Sequence, residues 1–257
     1  MDSIKIVNFI KDYFTKTQRG YAIIGVSGGL DSSVVLLLCV RALGPGRTQP
    51  VFIPYYPMTP QKNLENVKKI VRLAKIPQEN FIIEDISEQI NVFKKKHPHV
   101  SRIDFGNKMA RERMSILYYY ARRLKGLVVG SSNKSESLLG YFTLHGDGAW
   151  DIAPIIHLYK TEVRQLAKLL KVPQEIIDIP PSADFWPGQT DEKEFGFSYE
   201  IADKILEKFI EQKLSPEQIE KTGISKQIIS RVLQRYQQNK FKLQPPGTMK
   251  YDSLELL

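Results

Sequence analysis

Residues 27–33 read Ser27-Gly28-Gly29-Leu30-Asp31-Ser32-Ser33, between an apolar run at 21–26 and another at 34–40. That pattern places them where a strand turns into a helix. Adjacent glycines let the backbone bend tightly and approach a ligand. Ser27, Ser32 and Ser33 add hydroxyl donors, and a helix start adds free N–H groups with a partial positive charge. Together they make a cradle for phosphate. Asp31 inside such an anion site is repulsive unless a divalent cation bridges it to the phosphates. The stretch therefore reads as a site for a metal–nucleotide polyphosphate.

Other chemistries fit less of the pattern. Gly20 and Gly25 have the spacing of the common phosphate loop, but Val26 stands where that loop needs a lysine. Gly25-Val26-Ser27-Gly28-Gly29 matches the G-x-S-x-G elbow of serine hydrolases. No HGGG-type stretch accompanies it to supply an oxyanion hole. A plain glycine turn with serines as helix caps is the simplest structural reading of the seven residues alone.

A second polar cluster follows a short apolar run at 127–130: Ser131-Ser132-Asn133-Lys134-Ser135-Glu136. Ser131 and Asn133 are suited to bonding a nucleotide, Lys134 to phosphate, and Glu136 to a second position on the metal. A helix N-terminus with a capping residue and an early acid fits the same residues locally. Beyond it come Gly140-Tyr141-Phe142-Thr143, Gly146-Asp147-Gly148, Asp151 and Tyr159-Lys160-Thr161-Glu162-Val163. Glycines interleaved with acids and a lysine at element ends suit a binding loop better than a core.

The elements that must position these clusters alternate between two periods. Strands are expected at 21–26, 51–53, 81–83 and 127–130, with a short fifth at 152–156. Helices are expected at 2–16, 32–43, 59–75 (Thr59 as cap, Pro60 in the first turn), 87–96 and 105–125, the last ending at Gly126. Further helices follow at 162–170, 173–178, 198–212, 216–222 and 225–238, with a loop at 179–197. Continuous apolar strands alternating with helices point to a parallel sheet covered on both faces. Ligands then bind beyond the C-terminal strand ends, so Ser27–Gly29 and Ser131–Asn133 should share one crevice.

The 257 residues are 42% hydrophobic and 25% charged, an ordinary globular composition read as one domain over 1–257. No apolar run is long enough to span a bilayer, and residues 1–17 do not read as a signal peptide, so no membrane is expected and the cytoplasm is the expected location. One cysteine excludes an internal disulfide framework and a multi-cysteine metal site. The net charge of +9 favours anionic partners, polyphosphates and nucleic acid alike.

Taken together, these residues resemble the ATP-pyrophosphatase group (the adenine nucleotide alpha hydrolase-like superfamily), and within it the ammonia-dependent NAD+ synthetases. The resemblance rests on residues 27–33, 110–114, 133–136, 140–143, 146–148, 158–163, 181–184 and 186–192. It implies an α/β fold, a Rossmann-like parallel sheet with helices on both faces plus a C-terminal helical extension. It implies that Gly25, Val26, Ser27, Gly28, Gly29, Leu30, Asp31 and Ser32 hold the ATP phosphates, that Ser131, Lys160 and Ser182 contact ATP, and that Asp31 and Glu136 bind Mg²⁺. Arg111, Asp151 and Lys242 would contact deamido-NAD+. Asp147 falls where the family has an acid suited to binding ammonium and taking its proton, which with Lys160 makes the implied catalytic pair. Residues 179–197 match a mobile loop that closes over the site, and 57–61 a smaller one. This chain departs from the family at Leu144, where many relatives carry lysine, and at Phe241-Lys242-Leu243, which replaces His-Lys-Arg.

The implied reaction adenylates the nicotinate carboxylate of deamido-NAD+ with release of pyrophosphate, then amidates it with ammonia as AMP leaves. A glutamine-using enzyme needs an amidase unit with a nucleophile, usually cysteine. Cys39 sits in the apolar run after the glycine turn, a buried structural place, so free ammonia is the expected donor. A tRNA-modifying pyrophosphatase would be expected to carry an RNA-binding extension or paired cysteines, and a nucleotide-sensing module would not need both metal acids. No nucleic-acid partner is therefore expected. A homodimer is expected, because the helix at 105–125 carries Met109, Met114, Ile116, Leu117 and Tyr118-Tyr119-Tyr120, more apolar surface than one sheet face covers.

Overall fold

A computed structural model of the chain describes residues 3–186, 188–245 and 247. Strands β1 (Ala22–Gly25), β2 (Thr48–Phe52), β3 (Ile82–Ile83) and β4 (Leu127–Val128) form one parallel sheet in the order β3-β2-β1-β4. Ala22 of β1 is paired with Thr48 on one side and Leu127 on the other. The chain builds outward from β1 through β2 to β3, then crosses back to lay β4 on the opposite side of β1. That reversal between β1 and β4 leaves a crevice beyond their C-terminal ends.

The side-chain period of two sends alternate strand residues into two cores. Ala22, Ile24 and Phe52 pack with α1 (Ser3–Lys16), α2 (Leu30–Leu43), α3 (Gln61–Leu73), α7 (Lys160–Leu169) and α8 (Gln174–Ile177). Ile23, Val51 and Val128 pack against α4 (Ser87–Lys96) and α5 (Arg102–Arg123) on the other face. Burial on both faces is why β1 and β4 read as apolar runs, whereas β2 is buried throughout although it opens with Thr48-Gln49-Pro50. A third core joins α10 (Tyr199–Leu206), α11 (Pro216–Glu220) and α12 (Lys226–Asn239) to Leu139, at the end of α6 (Lys134–Leu139), and to Tyr159. The expected fold and its helical extension are both present.

Several boundaries differ from expectation for identifiable reasons. The expected strand at 152–156 is a single parallel bridge between Ile152 and Val129. Pro154 has no N–H to give a ladder, and the chain turns there, Ile156 N donating to Ala153 O at 3.3 Å and Leu158 N to Ile155 O at 3.0 Å. Helix α5 begins earlier than expected because Ser101 caps it, its hydroxyl accepting from Asp104 N at 3.0 Å. Thr59 does not cap α3: Pro60 holds that position, and the Thr59 hydroxyl accepts from Tyr55 N at 3.0 Å. The loop expected over 179–197 contains α9 (Asp191–Phe195), stopped by Gly196 in the left-handed region. Pro187, counted in that loop, lies outside the described residues.

Candidate active site

The crevice beyond β1 and β4 is a cavity of about 320 Å³. Its wall contains Gly25, Val26, Ser27, Gly28, Gly29, Leu30, Asp31, Ser32, Ser131, Glu136, Asp147, Lys160 and Ser182, every implied ATP, metal and catalytic residue. No histidine among the described residues lines it, which removes the hydrolase reading of the glycine–serine turn. Val51, Phe52, Ile53, Met114 and Leu117 close one side with apolar surface.

Helix α2 starts directly from this turn, with Gly29 as its cap residue and no side chain bonded to its first-turn N–H groups. Those donors and the helix dipole are left for an anion. The serines brace the turn instead: Ser27 Oγ accepts from Gly29 N at 3.2 Å, and Ser33 Oγ donates to Gly29 O at 2.7 Å. Gly28 has φ +84°, and a Cβ there would lie 2.5 Å from the carbonyl oxygen of Asn63 in α3. The turn therefore lies against the start of α3, which only a glycine allows.

Three charged groups meet at the helix starts. Lys160 Nζ lies 2.5 Å from Asp31 Oδ2 and 2.9 Å from Glu136 Oε1. Asn133 Nδ2 donates to Asp31 Oδ1 at 3.1 Å, and Asn133 Oδ1 accepts from Glu136 N at 2.9 Å, so the α6 cap also orients both acids. Lys160 is 3% exposed. Burial alone would lower its pKa, but Asp31 and Glu136 together hold the ammonium above its ordinary value. Burial, then Asp31, push the Glu136 carboxyl up to about 7 against the pull of Lys160. Lys134, offered as a phosphate ligand, turns away to Glu211 Oε1 at 2.7 Å and lies over the Tyr159 ring.

This donor set fits a hard divalent cation. Two carboxylates already converge on one positive charge, beside a turn built for phosphate. Mg²⁺ is commonly held by one or two carboxylates together with substrate phosphates and water. Among the described residues no three His, Cys, Asp or Glu groups converge, so a metal there would draw its remaining ligands from substrate and solvent.

Across the cavity, Asp147 Oδ1 accepts from Thr143 N at 2.9 Å. Its carboxyl lines the cavity, and desolvation by the surrounding protein raises its pKa against the opposing pull of that amide and Arg113. Arg113 was not singled out from the sequence. It lines the cavity, donates from Nε to Ile53 O at 3.0 Å and faces Asp147 and Asp184. Residues two apart on a helix point in nearly opposite directions, so Arg113 enters the cavity while Arg111 is exposed, its Nε donating to Leu144 O at 3.3 Å. The spacing Arg111-x-Arg113 carried that signal. Asn63 was also missed: its Nδ2 donates to Asp184 Oδ2 at 2.9 Å, joining α3 to the 179–197 segment.

Arg111, Asp151 and Lys242 lie outside the cavity wall. Asp151 Oδ2 accepts from Val128 N at 2.7 Å, and Tyr118 OH reaches Oδ1 at 3.5 Å. Lys242 Nζ donates to Gly140 O at 2.7 Å and Phe142 O at 3.1 Å. Much of the apolar surface of α5 is used within the chain. Met109 is buried, Met114 and Leu117 line the cavity, and Tyr120 OH donates to Glu84 Oε2 at 2.7 Å. Tyr119 and Ile103 are 57% and 65% exposed, and they are the large apolar side chains α5 leaves to solvent.

Residues 3–246 match the model of a family described as NAD synthase. The chain is 41% identical over 249 residues to an NH(3)-dependent NAD(+) synthetase of Methanocaldococcus jannaschii, covering 95% of this chain and 94% of that one. An NMN synthetase from Francisella tularensis superposes with a TM-score of 0.84 at 30% identity, covering 97% of both chains. An NH3-dependent NAD synthetase from Campylobacter jejuni, in complex with the nitrate ion, superposes with a TM-score of 0.81 at 31% identity, covering 97% of this chain and 100% of that one. With its glycine–serine turn, paired acids and buried lysine on one cavity, the chain belongs to the NAD synthase family.

Proposed function

We propose that this protein is an ammonia-dependent NAD+ synthetase, a ligase acting in the cytoplasm that forms a C–N bond on the nicotinate carboxylate of deamido-NAD+ at the expense of ATP. The observation that carries the reading is the convergence of Asp31, Glu136 and Lys160 at 2.5–2.9 Å beside an uncapped helix start. A carboxylate accepts ammonia poorly because oxide is a poor leaving group, so it must first be activated. The carboxylate oxygen attacks the α-phosphorus of ATP, the bond to the β-phosphate breaks, and pyrophosphate leaves. Ammonia then adds to the acyl carbon and AMP leaves with the bonding electrons.

The side chains divide this work by position. The free N–H groups at the start of α2 and the Lys160 ammonium face the phosphates and stabilise charge that builds on departing pyrophosphate. Asp31 and Glu136 would hold Mg²⁺, which when bound offsets the repulsion between the polyphosphate and the incoming carboxylate. Val51, Phe52 and Ile53 provide an apolar wall for adenine. Asp147 binds ammonium and takes its proton, which requires an ionised carboxylate. Arg111, Asp151 and Lys242 belong to the outer part of the deamido-NAD+ site, which a homodimer packed on the exposed side of α5 would complete. The 179–197 segment, joined to α3 through Asn63, excludes water that would hydrolyse the adenylate. No nucleic acid is required by this reading.

A second reading, amidation of nicotinate mononucleotide, is favoured by the likeness to the Francisella NMN synthetase and by the position of Arg111, Asp151 and Lys242 outside the cavity. The purified protein given ATP, Mg²⁺ and ammonium with either nucleotide decides between them. Faster turnover of deamido-NAD+ supports the first reading, and faster turnover of the mononucleotide overturns it.

A further inference from the structure

We infer that Asp203 is the positioning residue that holds Glu136 and Lys160 in register. The inference rests on the reading of the cavity as the ATP site. Asp203 belongs to α10 in the helical extension and is 4% exposed. Its Oδ1 accepts the Ser135 hydroxyl, and its Oδ2 accepts both the N–H and the hydroxyl of Thr161, at 3.0 and 2.9 Å. Ser135 Oγ in turn accepts from Lys160 N at 2.8 Å. Ser135 and Thr161 are the chain neighbours of Glu136 and Lys160, so one carboxylate bonds the first turns of α6 and α7 together.

The geometry explains why such a tie is needed. α6 and α7 are separate pieces of chain, joined by the irregular segment 140–159. Without Asp203, the two helix starts would be joined by the Lys160 N–Ser135 Oγ bond, a backbone bond from Lys134 N to Leu158 O at 2.7 Å, and the Glu136–Lys160 ion pair. Substrate phosphates and a cation must loosen that pair when they bind. Asp203 fixes the spacing through groups that do not face the cavity, since Ser135, Thr161 and Asp203 are absent from its wall. A carboxylate suits the place because it accepts from several buried donors at once and lies at two helix N-termini, where negative charge is favoured. An apolar residue there would leave the Thr161 N–H and the Ser135 hydroxyl without this partner. Tyr199, one turn earlier on α10, presents its ring beneath Lys160 Nζ at 5.4 Å, so the same helix face supports the ammonium twice. The sequence signal is an aspartate on the apolar stripe of α10, between Ala202 and Ile205.

Asp203→Asn and Thr161→Val test the assignment. An asparagine keeps the shape but turns an NH2 group towards donors. Thr161→Val removes one donor and leaves the carboxylate in place. Groups that orient metal ligands from behind typically change metal affinity or activity by about 10–100-fold when altered. Asp203→Asn should weaken binding of a Mg²⁺-bound non-hydrolysable ATP analogue, measured by calorimetry, and slow pyrophosphate–ATP exchange, each by about tenfold or more. Thr161→Val should show a smaller loss in the same two readouts. The KM for deamido-NAD+ should stay within twofold of the parent protein. Unchanged analogue binding and exchange in Asp203→Asn would overturn the inference. So would a loss in every parameter, KM for deamido-NAD+ included, that follows the fall in melting temperature. If Asp203→Asn does not fold, Thr161→Val decides by the same criteria. A parent protein that binds the analogue but makes no NAD+ would reject the proposed function, while the binding comparison still tests Asp203.

Discussion

Replacing Gly28 by alanine separates backbone strain from crowding, because the chain contains a second glycine of like φ in open space. Gly28 and Gly44 have nearly the same φ, +84° and +86°, but only Gly28 has neighbours within 4 Å of the added Cβ. An L-residue held at such a positive φ costs about 1–3 kcal/mol at either position. At Gly28 the new carbon would also lie 2.5 Å from Asn63 O and 3.1 Å from Asn63 Cα, both backbone atoms that cannot rotate away. Reaching an ordinary contact of 3.4 Å requires an opening of 3.4 − 2.5, about 0.9 Å, between the phosphate turn and α3. Such overpacking adds about 1–3 kcal/mol. At roughly 2–4 °C per kcal/mol for a chain near this size, Gly44→Ala should lower Tm by about 6 °C and Gly28→Ala by about 12 °C. A displacement near 1 Å at the phosphates should also slow adenylation about 100-fold. Differential scanning calorimetry and pyrophosphate–ATP exchange measure the two effects. Equal Tm losses in the two variants, or exchange by Gly28→Ala within twofold of the parent, would refute the reasoning.

Other substitutions test the remaining parts. Asp31→Asn and Glu136→Gln should each reduce pyrophosphate–ATP exchange by more than 100-fold at saturating ATP while circular dichroism stays unchanged, as expected for groups that organise charge in the transition state. Asp147→Asn should leave exchange intact and slow NAD+ formation by about 100-fold, since general-base catalysis contributes on that order. Its pH dependence follows from the sign of the shift. Asp147 must be ionised to take a proton, and its carboxyl is held above the ordinary carboxylate value. Taken relative to pyrophosphate–ATP exchange, which carries the titration of Glu136 in common, the acid limb of NAD+ formation should therefore lie above the usual carboxylate range, with activity lost as pH falls through it, and should vanish in Asp147→Asn. Light scattering should show a dimer at micromolar concentration, and Tyr119→Lys, placed on the most exposed ring of α5, should shift the protein towards monomer.

The cavity was largely legible because its parts are local. The turn at Ser27–Ser33 and the cluster at Ser131–Glu136 each announce a strand exit with residues that no core needs, and alternation of strands and helices places both exits together. Arg113 and Asp203 were not singled out, because their partners are distant in the chain and a single charged residue on a helix usually meets solvent. Asp203 bonds Ser135 across 68 positions, a pairing that exists only once α6, α7 and α10 have packed. The run at 152–156 read as a strand because its apolar residues suit one, yet Pro154 breaks the ladder and the chain turns. The acidic run at 191–194 read as loop because a helix of five residues is shorter than its period can reveal. The exposed α5 surface was overestimated because Met114 and Leu117 face the cavity rather than an outer face.

Product analysis tests the central claim most directly. The purified protein is incubated with ATP, Mg²⁺, ammonium and deamido-NAD+, and the nucleotides are resolved by chromatography. The account predicts NAD+, AMP and pyrophosphate in equal amounts, with none of the three formed when deamido-NAD+ is withheld. Formation of ADP and phosphate, or consumption of ATP with no NAD+ produced, would contradict it.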